Sequence, residues 1–116
     1  MLRMTFMPNY SINDVILVRY PFSDLTNSKV RPAVVVNGKH PSHDLFVVAL
    51  TSRSTGLQPG EFALTDWKSA GLNVPTSVKR AIFTIHDKLV LKSLGELGQN
   101  DAEAVDRSLR GWLGYA

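Results

Sequence analysis

Cysteine is absent from this 116-residue chain, which removes disulfide staples, thiolate catalysis and cysteine-ligated zinc together. Histidine is scarce, and His40, His43 and His86 are the whole supply. His40-x-x-His43 flanks Pro41 in an expected loop with no third ligand near it in sequence, so neither a metal site nor a metal cofactor is expected. No apolar run approaches the ~20 residues of a membrane span. The opening Met1-Leu2-Arg3-Met4-Thr5-Phe6-Met7-Pro8 lacks the longer apolar core of a signal peptide. The default expectation is a cytoplasmic protein with no membrane partner. No repeat, low-complexity tract or linker interrupts the sequence, so a single domain over residues 1–116 is expected.

Charge is modest but unevenly placed. Residues 1–40 carry Arg3, Arg19, Lys29, Arg31 and Lys39 against Asp14 and Asp24, a surplus of three that equals the net +3 of the whole chain. An uneven positive field attracts a polyanion or an acidic protein segment. Taken alone, it is equally the charge of a solvated face.

Apolar periodicity reads as β over most of the chain. Asp14 to Tyr20 is a strand stopped by Pro21, Ala33 to Val36 a second stopped by Asn37-Gly38, and Leu45 to Leu50 a third that ends in the polar run Thr51 to Gly56. Glu61 to Thr65 alternates as a half-buried strand should, and Ser77 to Ile85 reads as one bent strand or two short ones. Five or six short strands with hairpin-length links point to a small barrel or a strongly curled sheet. From Asn100 the period changes. Ala102, Val105, Leu109, Trp112 and Leu113 recur every three or four residues, which is an amphipathic helix. Asn100 and Glu103 have capping-box spacing, and Gly114 offers a stop. Burial of Leu109, Trp112 and Leu113 against the sheet is expected to hold the helix, at roughly 1.5–3 kcal/mol each.

Within this pattern Arg31-Pro32 stands out. A polar, basic loop from Ser23 to Lys29 runs directly into the apolar Ala33-Val34-Val35-Val36. Proline disfavours the α region for the residue before it, so Arg31 is expected to be extended and anchored at a sheet edge or mouth. A guanidinium held there can face a phosphate.

Five blocks in order resemble one known family: Asn13-Asp14-Val15-Ile16-Leu17-Val18; Pro21-Phe22-Ser23-Asp24-Leu25; Ser28-Lys29-x-Arg31-Pro32-Ala33-Val34-Val35-Val36; Val48-Ala49-Leu50-Thr51-Ser52; and Ser77-Val78 with Ile82-Phe83-Thr84-Ile85. Together with the Gly95-x-Leu97 step into the helix, they resemble the MazF/PemK (Kid) toxins of bacterial type II toxin–antitoxin systems. The resemblance implies a small SH3-like β-barrel with a C-terminal helix, mainly β, and an intertwined homodimer. It also implies a metal-independent, sequence-selective endoribonuclease that cuts single-stranded RNA, mRNA above all, and an acidic antitoxin that occupies the RNA site. By matching position it assigns catalysis to Arg31 and Thr51. Tyr20, Phe22 and Lys29 fall in or beside the loop that covers substrate. Ser52 and Arg53, Ser77 and Thr84 fall on positions that line the RNA groove.

The chemistry suits part of that assignment. Cleavage by the RNA's own 2′-OH requires a base for that hydroxyl, stabilisation of negative charge on the phosphorus, and a proton for the departing 5′ oxygen. Arg31 suits the second task, because guanidinium makes bidentate, charge-assisted bonds to phosphate oxygens. It does not suit the first, since arginine stays protonated. His86, beside Thr84, is a departure from the family pattern and a candidate general base; a strand-end histidine is the alternative reading. Asn13 replaces the glycine often found before the first strand, and asparagine tolerates a left-handed backbone. Phe83 replaces a basic residue of some members and is suited to stack on a base. Two other functions stay open. One is a non-enzymatic gyrase poison of the same fold, which the Trp112-to-Ala116 tail superficially suggests, although Trp112 also fits the apolar stripe of the helix. The other is a degenerate member that only binds.

Overall fold

The computed structural model describes residues 10–20, 29–38 and 41–115. They form β1 (Asp14–Tyr20), β2 (Lys29–Val35), β3 (Asp44–Thr51), β4 (Phe62–Ala63), β5 (Ser77–His86), a single 3-10 turn (Asp87–Leu89), β6 (Val90–Glu96) and helix α1 (Gln99–Leu113). The strands make one six-stranded sheet in the order β4-β5-β3-β2-β1-β6, antiparallel at each pairing. Register shifts in the β1–β6 and β3–β5 pairings bend the ladders. The architecture is mainly β with a C-terminal helix, as expected, and the sheet keeps β4 and β6 as edges instead of closing. Among the described residues no helix is long and apolar enough to cross a membrane.

Strand alternation sends side chains to two apolar clusters. Val15, Val34, Val48, Leu50 and Val78 join Leu97 and Val105 in one, against which Ala102, Leu109 and Trp112 of α1 pack. Ile16, Val18, Tyr20, Ala33, Val35, Leu45, Val47 and Ile85 form the other. Period-2 alternation of β-branched residues therefore builds both layers at once. Asn13 enters β1 in the left-handed region at φ 78°. Its N–H donates to the Val35 carbonyl at 2.8 Å and its carbonyl accepts from Leu97 N–H at 2.9 Å, which ties the chain ahead of β1 to the end of β2 and the entry to the helix. Gly95 and Gly71 permit a close crossing: a Cβ on Gly95 would lie 2.6 Å from the Ala70 carbonyl oxygen, and one on Gly71 1.9 Å from that of Leu94.

Several expectations are corrected. β2 starts at Lys29, because Lys29 to Pro32 pair with Tyr20 to Leu17 of β1. The fourth strand shrinks from 61–65 to Phe62–Ala63, because Thr65 N–H turns to Asp101 and the Glu61 carboxylate ties down Gln58 and Arg80. β6 was not anticipated as a strand. The N-cap of α1 is Gly98 without a side-chain cap, two residues before Asn100. In the first turn the buried Asp101 carboxylate instead accepts from Thr65 N–H at 3.0 and 3.1 Å, Thr65 Oγ1 at 2.9 Å and Asp66 N–H at 3.0 Å. Leu113, the last helical residue, is 56% exposed and adds little to packing. Gly114 is the stop, in the left-handed region at φ 81°.

Candidate functional site

Proline 32 sits in the middle of the sheet, where proline is unusual. Its position follows from hydrogen-bond parity. Val36 N–H donates to Phe46 of β3, while the Val35 carbonyl faces the β1 side and accepts from Asn13. Even-numbered residues of β2 therefore point their backbone groups at β3, and the N–H that Pro32 lacks is one the β3 ladder would need. The β2–β3 pairing runs through Val35–Val47, Val34–Val48 and Ala33–Ala49 and ends there, one residue short of Pro32. Continued two residues, the same register places Thr51 across from Arg31. The β2–β3 ladder ends before the proline, and the side chains of Arg31, Leu50 and Thr51 beyond it border open space.

Two cavities lie there, of about 650 Å3 and about 480 Å3. Arg31, Leu50 and Thr51 line both. The larger adds Tyr20, Lys29, Arg53, Lys79, Ala81 and Phe83. The smaller adds Ser52, Asn73, Thr76 and Lys92 along with apolar side chains. Lys29, Arg31, Arg53, Lys79 and Lys92 thus face the pair of grooves, and among the described residues no carboxylate or imidazole lines either one. Field lines from clustered cations in a cleft focus on whatever anion enters.

Local bonds prepare individual groups. Thr51 Oγ1 accepts from Arg53 N–H at 3.1 Å, which fixes the hydroxyl and leaves its own hydrogen to donate. Arg31 Nη1 donates to the Val30 carbonyl at 2.8 Å while the rest of the exposed guanidinium stays on the groove side. Tyr20 is buried beneath Phe83, ring centroids 5.3 Å apart and tilted by 59°. Burial pushes its phenol up to about 12, so it is neutral at physiological pH. Beyond the grooves, Glu61 is held below the ordinary carboxylate range, first by the Arg80 N–H and then by the Gln58 N–H.

The structure brings some of the anticipated residues together and separates others. Arg31, Thr51, Tyr20, Lys29, Ser52 and Arg53 border the grooves. Phe22 lies outside the described residues, as does His40. Ser77 pairs with Thr51 but is only 1% exposed, below the groove surface. Thr84 alternates with Phe83 and points to the other sheet face, opposite Phe46, so it does not line these grooves. His86 pairs with Asp44, seven residues from Thr51 along β3, which is roughly 23 Å at ~3.3 Å per residue. That separation rules it out as a base for a phosphate held by Arg31 and Thr51 of the same chain. Lys79 and Lys92 were not anticipated; for Lys79 the available signal was its period-2 alignment with Ala81 and Phe83. Trp112 packs against the core and donates from Nε1 to the Pro59 carbonyl at 3.0 Å, which accounts for it as a structural residue.

A six-stranded antiparallel sheet backed by one helix, with a cation-lined cleft beside Pro32, defines a class of small, mainly β proteins. The chain belongs to the family described as PemK-like, MazF-like toxin of type II toxin-antitoxin system, whose model matches residues 13–113. No curated protein matches it significantly in sequence. Among solved structures, an endoribonuclease from a mycobacterial species superposes with a TM-score of 0.72 at 19% identity, covering 95% of this chain and 96% of that one. An endoribonuclease in complex with its cognate antitoxin, also mycobacterial, gives 0.70 at 18% identity over 92% and 95%. The MazE–MazF structure from Deinococcus radiodurans gives 0.72 at 17% identity over 92% and 98%. At such identities these likenesses establish a shared fold.

Proposed function

We propose that this toxin is a metal-independent endoribonuclease that cleaves single-stranded RNA, mRNA above all, in a sequence-selective way. The observation that carries the reading is the pair of adjoining grooves with five cations, no described carboxylate, and Arg31 and Thr51 on the lining of both. A strand of phosphates laid along both grooves sets one phosphate between that guanidinium and that hydroxyl. Arg31 stabilises the charge that develops on the phosphorane oxygens, and Thr51 donates a second hydrogen bond. The 2′ oxygen bonds to phosphorus as the bond to the 5′ oxygen breaks, leaving a 2′,3′-cyclic phosphate and a 5′-hydroxyl. The 2′-OH proton passes to solvent, and the departing 5′ oxygen takes a proton from solvent. Phe83, half-exposed beside Lys79, offers a face on which a base stacks.

The same cations suit an acidic, partly disordered antitoxin segment that folds on binding and blocks the RNA path. Release from it would free the toxin to cut cytoplasmic mRNA and arrest growth. Phe46 and Ile82, 52% and 41% exposed on adjoining strands, are suited to a homodimer contact. The test is cleavage of single-stranded RNA by wild type and Arg31→Ala. Arg31 is exposed, so the variant should melt like wild type and lose roughly a hundred- to thousand-fold in rate. An unchanged rate contradicts the assignment.

A further inference from the structure

At the end of β3 remote from Thr51, the fold gathers residues that are 43 positions apart in sequence. Antiparallel pairing sets Asp44 across from His86, and Asp87 N–H donates to the His43 carbonyl at 2.8 Å, so the sheet fixes the backbone on both sides. From this frame the Asp87 carboxylate reaches both imidazoles. One oxygen lies 3.1 Å from His43 Nδ1, the other 3.2 Å from His86 Nδ1. The rings lie parallel, tilted by 4° with centroids 5.4 Å apart. The imidazoles are 60% and 43% exposed while the carboxylate is 17% exposed, so an ion can enter and the anionic ligand is held.

We propose that His43, His86 and Asp87 bind one divalent transition-metal ion, zinc by preference, which clips the start of β3 to the turn after β5. Two imidazoles and a carboxylate are donors for zinc, nickel or copper rather than for magnesium or calcium. Their ligand atoms all lie within 4.8 Å of one another. Ligand atoms at ~2.0–2.1 Å from a tetrahedral zinc are ~3.3–3.4 Å apart, so the two nitrogen–oxygen separations need little adjustment. His86 Nδ1 accepts from Lys88 N–H at 3.1 Å. Its single lone pair cannot serve both partners, so metal binding would displace that long backbone hydrogen bond. Three protein ligands leave a fourth position for water.

None of the three residues lines either groove. The site is therefore independent of the ribonuclease reading, and chelation is not expected to stop cleavage. The experiment uses untagged, chelator-dialysed protein titrated with zinc chloride by calorimetry and followed by thermal melting. One ion per chain is expected, with a melting-temperature rise of about 5 °C or more when zinc is well above its dissociation constant. Magnesium at the same concentration should give no rise. His43→Ala and His86→Ala, both at exposed positions, should melt like wild type without metal and bind zinc at least tenfold more weakly. Cobalt should give visible absorption bands with wild type that these variants lose. No zinc binding by wild type, or undiminished binding by the His43→Ala, His86→Ala double variant, overturns the proposal.

Discussion

Arg31 and Thr51 both line the two grooves that lie beyond Ala33–Ala49, the last pair of the β2–β3 ladder. Pro32, between Arg31 and Ala33, has no N–H with which to extend that ladder toward them. Pro32 is thus a geometric part of the site although it carries no reactive group.

Replacing that proline tests the idea. Pro32→Ala restores an N–H aimed at β3, and the ladder is expected to extend by one residue. Protein stability should hold or rise, the new amide should be protected in hydrogen exchange, and RNA cleavage should fall by roughly tenfold or more as the reacting groups shift. A fast-exchanging amide with wild-type cleavage would show that the proline does not hold the cleft open.

Lys79 is expected to act on the RNA backbone rather than on its sequence. Lys79→Ala should weaken single-stranded RNA binding to a similar degree for different sequences, and the slope of log affinity against log salt should shrink by about 0.7. Binding titrations at several salt concentrations read this directly. A loss confined to one sequence would instead make Lys79 a base reader.

Asp101 joins the first helical turn to the segment after β4. Asp101→Ala leaves the Thr65 and Asp66 N–H groups without their acceptor. Urea unfolding should show a loss of about 3 kcal/mol, from two partly buried donors at ~1–3 kcal/mol each. A loss below ~1 kcal/mol would mean that water replaces the carboxylate.

Tyr20 supplies the pH dependence. Its phenol is raised to about 12 in the fold by burial, above its ordinary value of 10.0. A raised value means that the unfolded chain releases this proton first, so the contribution is fully present below pH ~10 and is lost as pH climbs through about 12. Urea midpoints between pH 8 and 12 should fall more steeply for wild type than for Tyr20→Phe. Parallel curves would show that the phenol titrates alike in both states.

Much of this was legible in the residues. The strands from Asp14, Ala33 and Leu45 announce themselves through β-branched runs, and α1 through the spacing of Ala102, Val105, Leu109 and Trp112. β6 was not, because Val90-Leu91-Lys92-Ser93-Leu94-Gly95-Glu96 is an edge strand with four exposed residues and one β-branched one. The helix start misled because the Asp101 carboxylate is spent on a loop about 35 residues away. No local capping pattern contains that partner.

The site divides in the same way. Arg31 and Thr51 could be placed from the order of the blocks that surround them. Thr84 lies on the opposite face because only strand parity, with Phe83 on the groove side, separates it from the grooves. Lys92 reads as surface charge until β6 is paired to β1 through Leu17. The cluster of His43 with His86 and Asp87 forms only through the pairing of Asp44 with His86, a contact between distant segments.

Five cations and one threonine are proposed to make an RNA-cleaving groove without a metal. The most direct test is incubation of purified protein with a mixed-sequence single-stranded RNA in EDTA, followed by mapping of the ends. Cuts at discrete sites with 5′-hydroxyl and 2′,3′-cyclic phosphate ends are predicted. Intact RNA, with or without added metal, from folded protein would contradict the account, and gyrase poisoning by the same preparation would assign the fold to the other function.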